Sequence, residues 1–172
     1  SVEGRISITD TYNNVILGQS AGDNLTTGDG IKNVLLGIDA GTILDGDSNV
    51  GIGYRSLYSS NNTNKTVAIG GLALSTLGSG EYNVALGGLA GATLTAGSGN
   101  IFLGYGAGPT NSYTDSNKLY INNQASATPL IYGDFDTGQV TFNSQVSASI
   151  FSGSFYGDGS NLTGLTATSE WD

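Results

Sequence analysis

The sequence predicts an all-β fold: a β-solenoid, or β-roll, of about six coils of 16–19 residues, followed by a small strand-rich C-terminal module. Three observations lead there. One short unit recurs along the chain at a nearly constant period. Inside each unit, apolar residues are spaced as a strand spaces them. Between units lie stretches rich in Gly, Ser, Thr and Asn, which favour tight turns.

The repeat is read directly. Asn14-Val15-Ile16-Leu17-Gly18 is followed by Asn33-Val34-Leu35-Leu36-Gly37 and Asn49-Val50-Gly51-Ile52-Gly53. Then come Thr66-Val67-Ala68-Ile69-Gly70, Asn83-Val84-Ala85-Leu86-Gly87 and Asn100-Ile101-Phe102-Leu103-Gly104. The closing glycines stand 19, 16, 17, 17 and 17 residues apart. Val15 and Leu17 sit at i and i+2, so in a strand they face the same way. Such pairs, stacked coil on coil, are expected to form two apolar ladders over the coil's own core. Three residues after each glycine comes a small residue: Ala21, Ala40, Ser56, Ala73, Ala90 and Ala107. A second apolar row follows at Leu25, Leu44, Leu77 and Leu94, read as a second short strand ahead of a loop such as Gly78-Ser79-Gly80.

Gly18, Gly37, Gly53, Gly70, Gly87 and Gly104 are expected to supply φ > 0 or a close backbone approach. The Asn row forms either a side-chain ladder or Asx-type turns at the strand start.

The middle residue of each strand is expected to point outward. It is Ile16, Leu35, Gly51, Ala68, Ala85 or Phe102, never polar. A solvated face would carry polar residues there. A coil of this size also encloses only a thin core, marginal by itself. Both points predict that identical chains cover one another's strands.

Composition narrows the function classes. The chain has 172 residues, 38% hydrophobic and 11% charged, with a net charge of −9 and no His or Cys. Disorder ordinarily comes with high charge and few β-branched residues, neither of which is found here. The acidic balance argues against nucleic-acid binding. Without Cys there are no disulfides, thiolate metal sites or Cys nucleophiles, and without His the commonest transition-metal ligand is missing. No apolar run approaches membrane-spanning length and no signal peptide is seen, so no membrane insertion is expected. The lack of any Met points to a fragment of a longer chain or a processed one. The domain reading is a lead-in strand over 1–12, the solenoid over 13–116, a strand-rich module over 117–148 and a connector over 149–172.

The unit Asn-Val-Ala-Leu-Gly with its trailing Gly/Ala stretch, over about residues 13–110, resembles the head repeats of YadA-like trimeric autotransporter adhesins. The repeats here are longer than that family's usual ones. Asn117–Asn122, Pro129–Phe135 and Val140–Asn143 resemble strand-rich modules that follow such repeats in phage tail-fibre-like proteins. Residues 151–165 resemble a recurring tail-fibre motif. The resemblance implies a trimeric fibre that binds cell-surface receptors, usually glycans. It is the resemblance that makes the number of chains three. The expected partners are the chain itself, as a homotrimer, and a cell-surface glycan or outer-membrane receptor. The expected location is extracellular or on the virion surface.

No enzyme activity, cofactor or metal is expected, and no ligand-binding residue is assigned. A glycan-degrading tailspike is the enzymatic alternative, and a bacterial adhesin head the other. Asp134 and Asp136 flank Phe135 as the one plausible acid/base pair, in a segment that also reads as a polar turn. Asp45 and Asp47 flank Gly46 but lack the remaining ligands of a Ca²⁺ loop. Asp158 and the sequon-like Asn161-Leu162-Thr163 read as turn and chance match. Tyr54, Tyr58, Tyr82, Tyr105 and Tyr113 fall in or beside loops, placed to stack on sugars or to cover a trimer edge. An ice-binding surface would need a regular Thr row, and Thr42, Thr76 and Thr95 are out of register.

Overall fold

The computed structural model describes residues 12–25 and 30–147. The lead-in segment before Tyr12, the connector over 149–172, Asp158 and the Asn161 sequon lie outside them.

The chain is all-β, a solenoid of about six turns. Its strands are β1 (Val15–Leu17), β2 (Val34–Leu36), β3 (Val50–Ile52), β4 (Asn62–Asn64), β5 (Val67–Ile69) and β6 (Ser79–Glu81). They continue as β7 (Val84–Leu86), β8 (Ile101–Leu103), β9 (Lys118–Ile121), β10 (Ile131–Asp134) and β11 (Gln139–Phe142). Among the described residues the main sheet has nine strands in the order β1-β2-β3-β5-β7-β8-β9-β10-β11. From β1 to β9 neighbours are parallel and pair unit on unit: Val15 with Val34, Val34 with Val50, Val50 with Val67. β10 and β11 then add antiparallel to the same sheet.

The face assignment is the reverse of the sequence expectation. Leu35, Ala68, Ala85 and Phe102, the middle residues, are fully buried inside the coil. The flanking Val/Leu pairs face outward. Parity explains it. The residue that opens each unit, Asn or in the fourth Thr66, is itself buried, and the middle residue two positions on shares its face.

What makes a buried Asn tolerable is a ladder running up the solenoid. Asn14 Oδ1 accepts from the Asn33 backbone N–H at 2.7 Å, and Asn33 Oδ1 from Asn49 N–H at 2.8 Å. Asn49 Oδ1 accepts from Thr66 N–H, and Asn83 Oδ1 from Asn100 N–H. Each side-chain amide donates to a carbonyl across the coil: Asn33 to Gly46, Asn49 to Thr63, Asn83 to Gly97, Asn100 to Asp115. Every polar atom in the column is used, as a buried amide requires.

The turn after each strand has a fixed form. Gly18, Gly37, Gly53, Gly70, Gly87 and Gly104 have φ between +114 and +147. A Cβ on Gly37 would lie 2.6 Å from the carbonyl oxygen of Gly53, and one on Gly87 2.5 Å from that of Gly104. The backbones of successive turns are stacked too closely for a side chain. The small residue three positions on closes the turn, as Ala73 N–H does to Gly70 O at 3.2 Å. Left-handed residues such as Leu72 (φ 62) and Leu74 (φ 48) follow and keep the backbone curving. Leu44 and Leu77 therefore follow the turn without forming the expected second strand, and Leu94 makes only an isolated bridge to Tyr113. The small second sheet, β4 with β6, forms instead in stretches read as loop.

In five of the six coils core volume is balanced between the middle strand residue and the residue six positions on; in the fifth both are small, Ala85 and Gly91, and Leu74 and Phe102 of the adjoining coils reach into the space. Ile16, Leu35 and Phe102 face Gly22, Gly41 and Gly108, whereas Gly51 and Ala68 are matched by Leu57 and Leu74. The glycines have no room for more: a Cβ on Gly41 would meet Leu35 Cδ2 at 2.8 Å. The third coil is the odd one, with Ser56 and Ser60 where the first, second, fourth and fifth coils carry Ala and Leu. There the buried Ser60 and Thr63 hydroxyls have no hydrogen-bond partner. At the C-terminal end, aromatic rings close the core. Phe102 and Tyr120 stack at 5.5 Å, and Tyr132 meets Tyr120 edge-on at 5.3 Å.

Candidate interaction surface

The outer face of the nine-stranded sheet consists of two residue columns fixed by strand register. One runs Val15, Val34, Val50, Val67, Val84, Ile101, Leu119, Gly133, Val140. The other runs Leu17, Leu36, Ile52, Ile69, Leu86, Leu103, Ile121, Ile131, Phe142. Gly133 is the one position without an apolar side chain, and no position is polar. The columns continue unbroken where the sheet changes from parallel to antiparallel. With strands about 4.8 Å apart, the stripe is roughly 40 Å long. Leu17 is 65% exposed, Leu86 40% and Phe142 53%. Parallel sheets are ordinarily covered on both faces, and water does not suit an aliphatic stripe of this length.

The acidic candidates have partners inside the chain. Lys118 Nζ lies 3.1 Å from Asp134 Oδ1 and 2.9 Å from Asp136 Oδ2. Asn117 Nδ2 donates to the other Asp136 oxygen, and Asp134 Oδ1 also accepts from the backbone N–H groups of Asp136 and Thr137. The Lys118 hydrogen bonds hold both carboxyls below the usual carboxylate range and push the Lys118 ammonium upward. The geometry is that of an Asx turn closing β10.

Asp45 and Asp47 border an open polar cleft with Gly30, Gly46, Asn61, Asn62 and Asn64. Asp47 serves a second polar column there: its Oδ1 accepts from Ile31 N–H at 2.8 Å, and its own N–H donates to Asn64 Oδ1 at 2.8 Å. Among the described residues no group of three or more acidic, His or Cys side chains is placed to hold a metal ion.

The tyrosines divide by role. Arg55 lies over the rings of both Tyr54 and Tyr58, at 5.1 and 5.0 Å, and pairs with Asp39 at 3.0 Å. Lys65 lies over Tyr82. Tyr113 is tied to the core by the Tyr120 hydroxyl, which donates to its oxygen at 3.1 Å. Tyr105 is 62% exposed and walls an apolar cleft of about 240 Å³ together with Leu89, Ala92, Thr93, Pro109 and Ala125. Sequence reasoning did not anticipate this cleft. Its signal is Gly106, which stands where the two preceding coils have Leu72 and Leu89.

No family model, curated protein or solved structure matches the chain.

Proposed function

We propose that this chain is a structural and adhesive segment of an extracellular homotrimeric fibre, a phage tail fibre or a tail-fibre-like adhesin, that attaches its bearer to a cell surface. The unbroken apolar stripe over nine strands carries the reading. The stripe carries no charged residue, so copies of a chain with a net charge of −9 can meet there without placing like charges in contact. Copies aligned along a common axis bury it along its whole length. Three copies, and a glycan or outer-membrane receptor as target, follow the resemblance to trimeric adhesin heads and tail fibres. A trimer presents any weak receptor contact three times, so modest single-site affinity becomes firm attachment.

Sedimentation and native mass spectrometry of the purified chain test the assembly, with three chains expected at low micromolar concentration. A stable monomer there removes the reading. Surface plasmon resonance on host-surface polysaccharide tests attachment, with binding expected that weakens when the trimer is dissociated.

A further inference from the structure

A closed ring of three differs from a two-fold pair in one structural demand. In a pair the same patch meets itself, whereas in a ring each chain presents two different patches, one for each neighbour. The stripe is made of branched side chains that stand out from the sheet. The Tyr105 cleft is concave, apolar and adjacent: only Gly87 and Gly88 separate Leu86 of the stripe from Leu89 of the cleft wall. The Thr93 hydroxyl in the wall donates to the Pro109 carbonyl at 2.8 Å, which removes its demand for another partner.

Area points the same way. A stripe of roughly 40 Å by roughly 10 Å falls well short of the about 800 Å² per partner that stable interfaces bury. The corner carrying Leu72, Leu89 and Pro109 extends the apolar surface next to it. Toward the N-terminal end the same corner turns polar, at Asp39 and Arg55.

We infer that the cleft at Gly106 receives Leu86 or Leu103 from the stripe of a second copy of this chain, so that copies join head to tail. This rests on the self-association proposed above and specifies its geometry. In a ring whose axis follows the solenoid, like coils meet like coils, which puts these two leucines at the level of the cleft. The cleft is thus a hole for a neighbour's knob, and it locks the C-terminal half of the assembly.

Filling the hole from within tests this. Gly106 has φ +62, close to Leu89 (φ 60) and Leu72 (φ 62) in the same column, so the backbone there already carries leucines. A Cβ at 106 would find its nearest atom, Ala125 N, at 3.3 Å. The Gly106→Leu chain is expected to keep the far-UV circular dichroism of the parent while its assembly weakens about tenfold or more in sedimentation equilibrium. Assembly as tight as the parent's overturns the inference and leaves the self-association reading standing; a monomeric parent overturns both. A second variant does not depend on the plug folding. The chain has no Cys, so Leu86→Cys or Leu103→Cys, each combined with Ala92→Cys, gives a clean cross-link. Head-to-tail contact yields oxidised products that close at three chains on a denaturing gel. Products that stop at two chains, or none from either cysteine pair, overturn it.

Discussion

The Leu57 side chain occupies the space that Gly51 leaves empty: a Cβ built on Gly51 would lie 3.5 Å from Leu57 Cδ1. In the coil before, the sizes are exchanged, and Leu35 presses on Gly41. The pair, more than either residue, is the unit of core packing. Leu57→Gly alone opens a cavity and is expected to cost about 3 kcal/mol or more. Gly51→Leu alone overpacks against Leu35 and Ser56 and costs about 1–3 kcal/mol. The double exchange reproduces the Leu35/Gly41 arrangement. Urea unfolding is expected to show it more stable than the two single effects predict, by about 1 kcal/mol or more. Simple additivity would contradict the coupling.

The Asn ladder has one weak rung. Thr66 stands in the Asn column, and its hydroxyl accepts from Asn83 N–H at 3.3 Å, longer than the Asn rungs. It also has no amide to send across the coil. Thr66→Asn offers Asn83 N–H an amide oxygen in place of the Thr66 hydroxyl and adds a donor toward Gly80, the position matching Gly97 opposite Asn83. The expected gain is about 1 kcal/mol, read as a rise of a few degrees in Tm. Asn83→Ala leaves the Asn100 N–H and the Gly97 carbonyl unpaired and is expected to cost about 2 kcal/mol or more.

Two neighbouring coils contain glycines with opposite requirements. Gly87 has φ +135, and a Cβ there would meet Gly104 O at 2.5 Å. Gly71 is not in the left-handed region, and a Cβ there would find only Tyr54 O, at 3.8 Å. Thermal unfolding is expected to show Gly87→Val destabilised by about 2 kcal/mol or more and Gly71→Ala nearly unchanged. Equal effects at both sites would mean that turn stacking does not constrain Gly87.

Much of this architecture can be read from residue spacing. The repeat places β1–β3, β5, β7 and β8 on the very residues of the Val-x-Leu units, because a three-residue strand flanked by Asn and Gly has little freedom of register. Spacing alone does not orient those strands. Asn14, Asn33 and Asn49 read equally as a side-chain ladder or as turn residues, and the hydrogen bonds show the ladder, with the side chains pointing inward. The size balance six residues apart, Leu35 with Gly41 and Gly51 with Leu57, carries that information in the sequence. Left-handed Lys32, Lys65 and Tyr82, each one residue ahead of the ladder column, leave no compositional trace, since their conformation comes from stacking and not from propensity. The continuation of the apolar columns through Leu119, Ile121, Ile131 and Phe142 is likewise invisible until β9 to β11 pair.

The Lys118 cluster bears on catalysis. Asp134 and Asp136 both have lowered values, so their contribution to the β10 turn is complete above the unfolded carboxylate value, about 3.9, and is lost as pH falls through the lowered folded values. Lys118 is raised, so its share is complete below the unfolded lysine value, about 10.4, and is lost as pH rises through the raised one. The amide resonances of Asp136 and Thr137, which report the Asp134 turn, are expected to stay fixed from about pH 5 to about pH 9 and to move in acid. Glycan hydrolysis by a carboxylate pair needs the reverse arrangement, with one member raised enough to hold a proton near neutrality. Both members here are deprotonated there and committed to Lys118. Incubation of the assembled chain with host-surface polysaccharides is therefore expected to bind without generating new reducing ends. Cleavage that disappears in the Asp134→Asn, Asp136→Asn double variant would make the pair catalytic and replace the adhesive reading with that of a tailspike hydrolase.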